Sequence, residues 1–258
     1  MDLSRLPLSE LEARLRAARG EASLRRLAEG LRRDRRAGAR ALGRRCERRV
    51  AERRRLAGLF RLRARLHADG VKLVAGVDEV GMGPLAGPVV AAAVVLPDRP
   101  DLPGLDDSKR LTPAARERLA GAIREQALTF AVGTVPPVEV DRHNVYQAGL
   151  EAMRRAVRGL SQTPDHLLVD GRSIPDLELP QTRIVGGDRI DGSIAAASIV
   201  AKVHRDRLMR RLERRYPGYG FARHKGYATR EHLEALRRLG PCPVHRRSFE
   251  PVLQLPLL

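Results

Sequence analysis

The chain has 258 residues, 43% of them hydrophobic, and its 49 Lys and Arg residues against 31 Asp and Glu give a formal net charge of +18. This length allows one substantial core with a small appendage, and the charge excludes an acidic, calcium-buffering protein and indicates a polyanionic partner such as nucleic acid. The two cysteines lie far apart in the sequence, which excludes a disulfide framework and fits a reducing compartment. The longest apolar run, residues 85–96, is too short to cross a bilayer. We therefore expect a cytoplasmic protein without a membrane segment.

Residues 1–70 form an Arg-rich segment with the pattern of helices. The segment holds 21 Arg and nine acidic residues, so it carries +12 of the net charge. Ser9 and Glu12 match a capping box. Leucines recur at helical spacing in two groups, Leu8, Leu11, Leu15 and Leu24, Leu27, Leu31.

The apolar stripe of this segment is narrow, so we expect an extension that packs on a partner surface or stays loosely held. Two interpretations stay open. The segment is either an arm that binds a nucleic-acid duplex or a solvated helix whose arginines reflect composition alone.

From residue 71 to 258 the pattern changes to alternating strands and helices, which predicts a second domain. Short apolar runs predict strands at 73–80, 86–96, 128–135, 166–170 and 182–185. Helices are predicted at 113–127, after Pro136-Pro137 through residue 160, at 193–215 and at 229–239. Strands interleaved with helices predict an α/β layered domain with a mixed sheet.

Four carboxylates stand where an ordinary core does not place them. Asp78 and Glu79 interrupt an apolar strand, and Asp170 ends another, at the point where α/β sheets present ligands. Asp206 follows Lys202 by four residues on a predicted helix with a buried stripe. Each alone is more often a cap or a solvated residue, but a buried carboxylate is costly unless it is paired or binds a cation.

Oxygen ligands without His or Cys partners are the environment that Mg²⁺ or Mn²⁺ prefers. Two such cations about 3.5–4 Å apart activate water and stabilise the leaving oxygen in phosphodiester hydrolysis. One difficulty concerns Asp78 and Glu79, because neighbours on a regular strand point to opposite faces. We therefore expect the backbone to bend there, as Gly81 and Gly83 would permit.

Six sequence blocks resemble the ribonuclease HII family and follow its order. They are GVDEVGMGPLAGPVVAAAVVL (76–96), GLDDSKRLT (104–112), LLVDG (167–171), SIAAASIVAKVHRD (193–206), YGFARHKGY (219–227) and GPCPVHRRSFEPV (240–252). A lone GxG is weak evidence, whereas six blocks in order are specific. The resemblance spans residues 71 to 252.

The resemblance implies a ribonuclease H-like fold, with a mixed five-stranded sheet flanked by helices, a C-terminal helical part and the N-terminal helical extension. It implies cleavage of RNA in RNA–DNA hybrids and incision 5′ to ribonucleotides in duplex DNA, leaving 3′-hydroxyl and 5′-phosphate ends. By motif position, Asp78, Glu79, Asp170 and Asp206 match the catalytic and metal-binding set. A monomer that contacts a replication clamp is a further expectation.

The resemblance also assigns substrate contacts. The loop of Gly81, Met82 and Gly83 would approach the ribose 2′-hydroxyl through its backbone, where a side chain would block access. Tyr227 would pack on the following deoxyribose, so that the two together read an RNA-to-DNA junction. Positions that match phosphate-holding residues are Ser108, Lys109, His224 and Lys225.

Two departures concern substrate contacts. Met82 stands where the family commonly has Arg, and Gly186 stands where Lys commonly precedes Gly-Asp. Two other functions therefore stay open. One is a basic duplex-binding module with a weakened nuclease core, and the other is a nuclease or strand-transfer enzyme of the same superfold, such as a resolvase, that ignores the 2′-hydroxyl.

Overall fold

The computed structural model describes residues 3–18 and 20–254. The chain divides into two compact units between Leu59 and Phe60. Among the described residues, none of the helices combines the length and the apolar character that a bilayer-spanning segment needs.

The first unit is built from α1 (Leu8–Ala17), α2 (Glu21–Arg32) and α3 (Ala37–Leu59). The predicted helices are present, but α1 begins after Pro7, which makes no side-chain cap, and Ser9 lies inside the helix. The capping-box prediction was therefore wrong. Pro7 at the N-cap sets the start of the helix instead, because the proline ring fixes φ and the residue has no backbone N–H that needs an acceptor.

The three helices bury their leucines against one another. The core of this unit is made of Leu11, Leu15, Ala18, Leu24, Leu27, Ala28, Leu31, Ala39, Leu42, Cys46 and Val50. The expectation of a loosely held extension was wrong for residues 3–18 and 20–59, since the apolar stripes of successive helices are narrow individually but cover each other. The Arg36 guanidinium connects two loops of this unit, because it donates hydrogen bonds to the Asp34 carboxylate and to the Leu6 carbonyl.

The second unit holds the predicted mixed five-stranded sheet in the order β3-β2-β1-β4-β5. Its strands are β1 (Val74–Val80), β2 (Val89–Val95), β3 (Thr129–Val135), β4 (His166–Asp170) and β5 (Gln181–Ile184). The β1–β2 and β2–β3 pairs are antiparallel, whereas β1–β4 and β4–β5 are parallel. The predicted fold class is confirmed.

Helices cover both faces of the sheet. They are α4 (Arg61–Ala68), α5 (Pro113–Gln126), α6 (Pro137–His143), α7 (Val145–Arg158), α8 (Gly187–Ile190), α9 (Gly192–Arg215), α10 (Phe221–His224) and α11 (Arg230–Leu239). Helix α7 packs on one face and α9 on the other, where Gly76 allows close approach: a Cβ there would lie 2.1 Å from the Ser193 carbonyl. The predicted helix after Pro136-Pro137 is divided at Asn144, whose φ is +70° and whose side chain caps α7.

Helix α4 belongs to the second unit, although the predicted boundary lies near residue 70. Leu62 and Leu66 pack against Val74, Leu168 and Ile194 of the sheet layer. This contact places residues 60–70 with the second unit, because α4 supplies the apolar cover for that part of the sheet.

Candidate active site

Three carboxylates meet at one edge of the sheet. Asp78 and Glu79 lie near the end of β1, and Asp170 is the last residue of β4, which runs parallel to β1. Neighbouring parallel strands end at the same edge, where α/β sheets present ligands. Each of the three residues offers an oxygen, and these oxygens all lie within 4.8 Å of one another. The strand topology therefore brings Asp170 together with Glu79 and Asp78, which precede it by 91 and 92 residues in the sequence.

The two neighbours on β1 meet without the expected bend in the backbone. Their strand pairs with β2 residue by residue through Val80 and Val90, with no bulge. Instead, the Asp78 carboxyl accepts a hydrogen bond from the Glu79 amide at 2.7 Å, which turns it along the strand. The longer Glu79 side chain then reaches the same space from the end of the strand.

Burial and mutual repulsion shape the electrostatics of the three carboxylates. Only 5% of Asp78 is exposed, and burial, with the nearby charges of Glu79 and Asp170, raises its pKa well above the usual range. Burial also raises the pKa of Glu79, which Arg172 opposes from 3.5 Å. The site therefore favours a proton, or another cation, over three free negative charges.

These residues fit a divalent metal ion. The Glu79 Oε2 atom is buried and has no hydrogen-bond partner, and such an atom normally finds one. A donor set made only of carboxylate oxygens suits Mg²⁺ or Mn²⁺. A cation among the oxygens would satisfy Glu79 and offset the repulsion that raises the pKa of Asp78.

Asp206, the fourth predicted carboxylate, is not part of this group. It lies on α9, nearly buried, and its carboxyl accepts a hydrogen bond from Lys202 Nζ at 2.7 Å. The helix places these residues four positions apart on one face, where ion pairs form readily. The structure thus brings together three of the four predicted groups and pairs the fourth with a lysine.

The predicted glycine loop follows β1 directly and so lies next to Glu79. Gly81 has a φ of +91°, and a Cβ there would lie 2.3 Å from Arg205 Nε, so glycine is required. Gly83 is exposed, and a Cβ there would meet open space. The Met82 side chain packs into the core beside Gly149. The loop therefore presents backbone, not a side chain, beside the carboxylates.

Comparison with known proteins decides the family. A model of the ribonuclease HII family matches residues 75–252. The chain belongs to the ribonuclease HII family. It is 53% identical over 249 residues to the ribonuclease HII of Geobacillus thermodenitrificans, covering 95% of each protein. It is 55% identical over 231 residues to that of Myxococcus xanthus, covering 88% of this chain and 79% of the relative.

Solved structures share the fold of this ribonuclease HII. The ribonuclease H2 of Pyrococcus horikoshii superposes with a TM-score of 0.62 at 29% identity, covering 71% of this chain and 96% of that one. The RNase HII of Archaeoglobus fulgidus, solved in complex with PCNA, has a TM-score of 0.59 at 29% identity and coverages of 69% and 96%. As a ribonuclease HII, the protein is an endonuclease that hydrolyses RNA in RNA–DNA hybrids.

Two of the expected phosphate contacts of this ribonuclease HII lie after β2. The Ser108 hydroxyl is buried and lies 2.9 Å from the Ser198 hydroxyl, which in turn interacts with the Asp78 carboxyl. Lys109 is exposed, and its ammonium lies 3.7 Å from Asp188. Lys109 is thus available to a phosphate, whereas Ser108 is available only to the interior of the site.

The other expected contacts lie around α10. His224 is buried, its Nε2 donates to the Tyr219 carbonyl, and its Nδ1 accepts from the Gly226 amide, so no ring nitrogen is left for a phosphate. The Lys225 ammonium donates to the Ala222 carbonyl. Tyr227 is 43% exposed, so its ring is accessible from solvent.

Several residues of the site were not predicted from the sequence. Asp188 is buried, and burial with the charges of Asp107 and Asp170 raises its pKa, while its own charge helps to raise the pKa of Asp78. Arg172, two residues beyond Asp170, pairs with Glu79. The Gly-Asp pair at 187–188 was a usable signal for Asp188, but nothing in the sequence indicates that Arg172 turns back toward β1.

Proposed function

We propose that this ribonuclease HII also incises duplex DNA on the 5′ side of a single embedded ribonucleotide, and that both cuts leave 3′-hydroxyl and 5′-phosphate ends. One observation carries the proposal: the cluster of Asp78, Glu79 and Asp170 lies directly beside the Gly81–Gly83 turn, which presents backbone. Hydrolytic groups and a surface able to read a sugar hydroxyl are thus adjacent. Such an activity would begin the removal of ribonucleotides from DNA.

The mechanism we propose uses two divalent ions, Mg²⁺ or Mn²⁺. Asp78, Glu79 and Asp170 would hold them, and Asp206 would join once its carboxyl leaves Lys202. Such ions, when bound, supply an activated water and stabilise the leaving oxygen. The protein's part is to hold the oxygens in place: the Gly187 amide donates to Asp170 at 2.7 Å.

Junction recognition would come from backbone and ring together. The Gly81–Gly83 turn would contact the 2′-hydroxyl, and Tyr227 would pack on the next deoxyribose, where a further hydroxyl would clash. The missing Arg at position 82 would leave this backbone contact in place, because the Met82 side chain packs against the core. The missing Lys at Gly186 has a local cause, since the residue has a φ of +67°, which favours glycine.

Cleavage mapping on matched duplexes tests the proposal. The substrates are one DNA duplex with a single ribonucleotide, the same duplex without it, and an RNA–DNA hybrid, each with Mg²⁺, with Mn²⁺ or with chelator. We expect one cut 5′ to the ribonucleotide, no cut in all-DNA and no cut without metal. Asp78→Asn should abolish cutting, whereas Asp101→Asn, at an exposed carboxylate after β2, should not.

Each other outcome indicates a different function. Tight binding without cutting would indicate a duplex-binding module with a weakened nuclease core. Cutting of all-DNA junctions regardless of the 2′-hydroxyl would indicate a resolvase-like enzyme. Cutting of hybrids alone would leave the family activity in place and refute incision at single ribonucleotides.

A contact with a replication clamp stays a prediction. The Archaeoglobus fulgidus RNase HII was solved in complex with PCNA, and we propose a clamp as a partner of this chain. Gel filtration of the purified protein with and without the clamp of the same organism tests this, and the protein alone should elute as a monomer.

A further inference from the structure

A buried arginine near the C-terminal end of the described chain holds the glycine loop. Arg246 is fully buried, and its guanidinium donates to the carbonyls of Gly81 at 2.5 Å, Met82 at 2.9 Å and Gly87 at 2.9 Å. In the described chain it forms no ion pair with a carboxylate. A buried guanidinium is costly unless its donors are satisfied, so these carbonyls are what retain it.

The bonds of Arg246 fix the direction in which the loop amides point. In a trans peptide the carbonyl and the following N–H point in opposite directions. The Gly81 carbonyl shares its peptide with the Met82 amide, and the Met82 carbonyl shares its peptide with the Gly83 amide. Both carbonyls face Arg246, so both amides face away from it.

Those two amides have no acceptor within the described part of the chain, where neither Met82 N nor Gly83 N donates a hydrogen bond. Backbone amides are almost always paired, with solvent or a ligand if not with protein. Two neighbouring donors on one turn fit an oxygen atom, such as a ribose hydroxyl or a phosphate oxygen. The loop is thus prepared for a ligand by a residue that does not touch the ligand.

The residue before Arg246 begins a second chain of hydrogen bonds, which ends at Tyr227. His245 Nδ1 accepts from the Cys242 amide at 3.0 Å, so its proton is on Nε2, which faces His232 Nε2 at 3.1 Å. His232 therefore accepts there, and its Nδ1 donates to the Tyr227 carbonyl at 2.9 Å. These tautomers satisfy the Cys242 amide, the contact between the two rings and the Tyr227 carbonyl, whereas the 3.3 Å contact between His245 Nδ1 and the Cys242 carbonyl is not a hydrogen bond in this arrangement.

Direct contacts tie the two regions together. The Leu85 amide donates to the Gly226 carbonyl at 2.8 Å, immediately before Tyr227. Arg205, the second buried arginine, donates to the carbonyls of Ala86, Pro88 and Lys225. The glycine loop and the Tyr227 turn therefore share anchors and do not move independently.

We propose that Arg246 and His245 are positioning residues for substrate recognition: Arg246 turns the Met82 and Gly83 amides outward to bind an oxygen of the substrate, and His245, through His232, sets the backbone of Tyr227. This inference rests on the proposed function, because it assigns the outward amides to the 2′-hydroxyl at a junction. His245 and Arg246, neighbours in the segment of residues 242–249, would thus position both parts of the surface that reads the junction, namely the Gly81–Gly83 turn and Tyr227.

Arg246→Lys tests the first half. Lysine keeps the charge but cannot reach three carbonyls. The control is Arg63→Lys, because Arg63 is equally buried and donates to the carbonyls of Leu96, Pro97 and Asp98, away from the loop. Two measurements are made on each variant. One is the ratio of dissociation constants for an all-DNA duplex and the same duplex with one ribonucleotide, and the other is the ¹H–¹⁵N NOE of the loop amides.

For Arg246→Lys we expect the dissociation constant for all-DNA, divided by that for the duplex with one ribonucleotide, to fall about tenfold, because one or two hydrogen bonds to the ribonucleotide are lost. The affinity for all-DNA should stay within twofold, and the NOE at residues 82 and 83 should decrease. Equal effects of Arg63→Lys, or unchanged values in Arg246→Lys, would overturn the inference. A loss of affinity for both duplexes alike would overturn it too, since the amides would then hold a phosphate. If the wild-type protein ignores the ribonucleotide, the proposed function fails, while the NOE still decides whether Arg246 orders the loop.

His232→Phe tests the second half and does not depend on Arg246→Lys being folded. The ring and its packing remain, but the donor to the Tyr227 carbonyl is lost. The measurement compares kcat/KM for duplexes with one and with two consecutive ribonucleotides, because Tyr227 would read the second sugar. We expect the preference between them to weaken several-fold and His232→Asn, which keeps a donor in place of Nδ1, to restore it. An unchanged preference in His232→Phe, or no rescue, would refute the role of the histidines.

Discussion

Asp78 is the residue in which function and stability conflict most directly. It is buried, and burial with two neighbouring carboxylates raises its pKa well above the usual value for Asp. An acid whose pKa is raised in the folded state destabilises the protein as pH rises above its unfolded pKa. Without metal at neutral pH, Asp78→Asn should therefore increase the free energy of unfolding, measured by urea denaturation, while it abolishes cleavage.

The same raised pKa predicts proton release when metal binds. Carboxylate ligands must be ionised, so metal affinity should increase with pH over the range in which Asp78 titrates, and binding in that range should displace its proton. Calorimetric titration with Mn²⁺ in two buffers of different ionisation enthalpy measures the number of protons released. Equal release by the wild type and by Asp78→Asn would contradict the assignment of that proton.

His232 and His245 carry a pH dependence of the opposite kind. Burial lowers the pKa of each to about 4, below the unfolded value of 6.5. The unfolded chain therefore binds more protons between these values, so stability is complete above pH 6.5 and falls as pH decreases toward 4. The slope is about 1.4 kcal/mol per pH unit for each ring at most. Urea denaturation from pH 7 to pH 4 measures how the free energy of unfolding changes with pH. If His232→Phe showed the same slope as the wild type, the pH dependence would not come from this histidine.

At the scale of the element, the contact between β1 and α9 positions the site. A Cβ on Gly76 would lie 2.1 Å from backbone atoms of Ser193, so Gly76→Ala must push α9 away from the sheet. We expect a loss of about 2–4 kcal/mol in the free energy of unfolding and reduced activity, since α9 carries Asp206. Gly121→Ala is the control, because a Cβ there meets nothing within 4 Å in α5. It should stabilise by up to about 1 kcal/mol, and equal effects would contradict the role of close packing.

The elements also show what a sequence can predict. The strands with strong apolar runs and the helix bearing Asp206 were predicted, because periodicity and turn residues are local signals. The break at Asn144 was missed, since it depends on a φ of +70° that a helical pattern does not encode. Three carboxylates were brought together as expected, but the Lys202 contact of Asp206 was not foreseen. The spacing of four residues offered Lys202 as a partner, but whether Asp206 turns toward Lys202 or toward the other carboxylates depends on rotamers that tertiary packing fixes.

At the scale of the whole molecule, the charge is concentrated outside the catalytic unit. Residues 1–59 hold 18 arginines and eight acidic residues, so they carry +10 of the +18. Some of these arginines are paired, as Arg16 is with Glu12 and Arg25 with Glu21. Arg44 and Arg48 on α3 are exposed. One helical turn separates them, a spacing at which both can face the same phosphate strand.

We therefore predict that the outward face of α3 binds duplex phosphates. The double variant Arg44→Gln, Arg48→Gln should weaken binding and reduce the slope of log affinity against log salt by about 0.9 for each phosphate that is no longer neutralised. The single-turnover cleavage rate at saturating enzyme should not change. The double variant Arg16→Gln, Arg25→Gln removes the same charge from paired positions, so it separates local binding from net charge. If the slope of log affinity against log salt fell equally in the two variants, only net charge would matter. If the affinity were unchanged in both, the arginines would be solvated surface residues that do not bind the duplex.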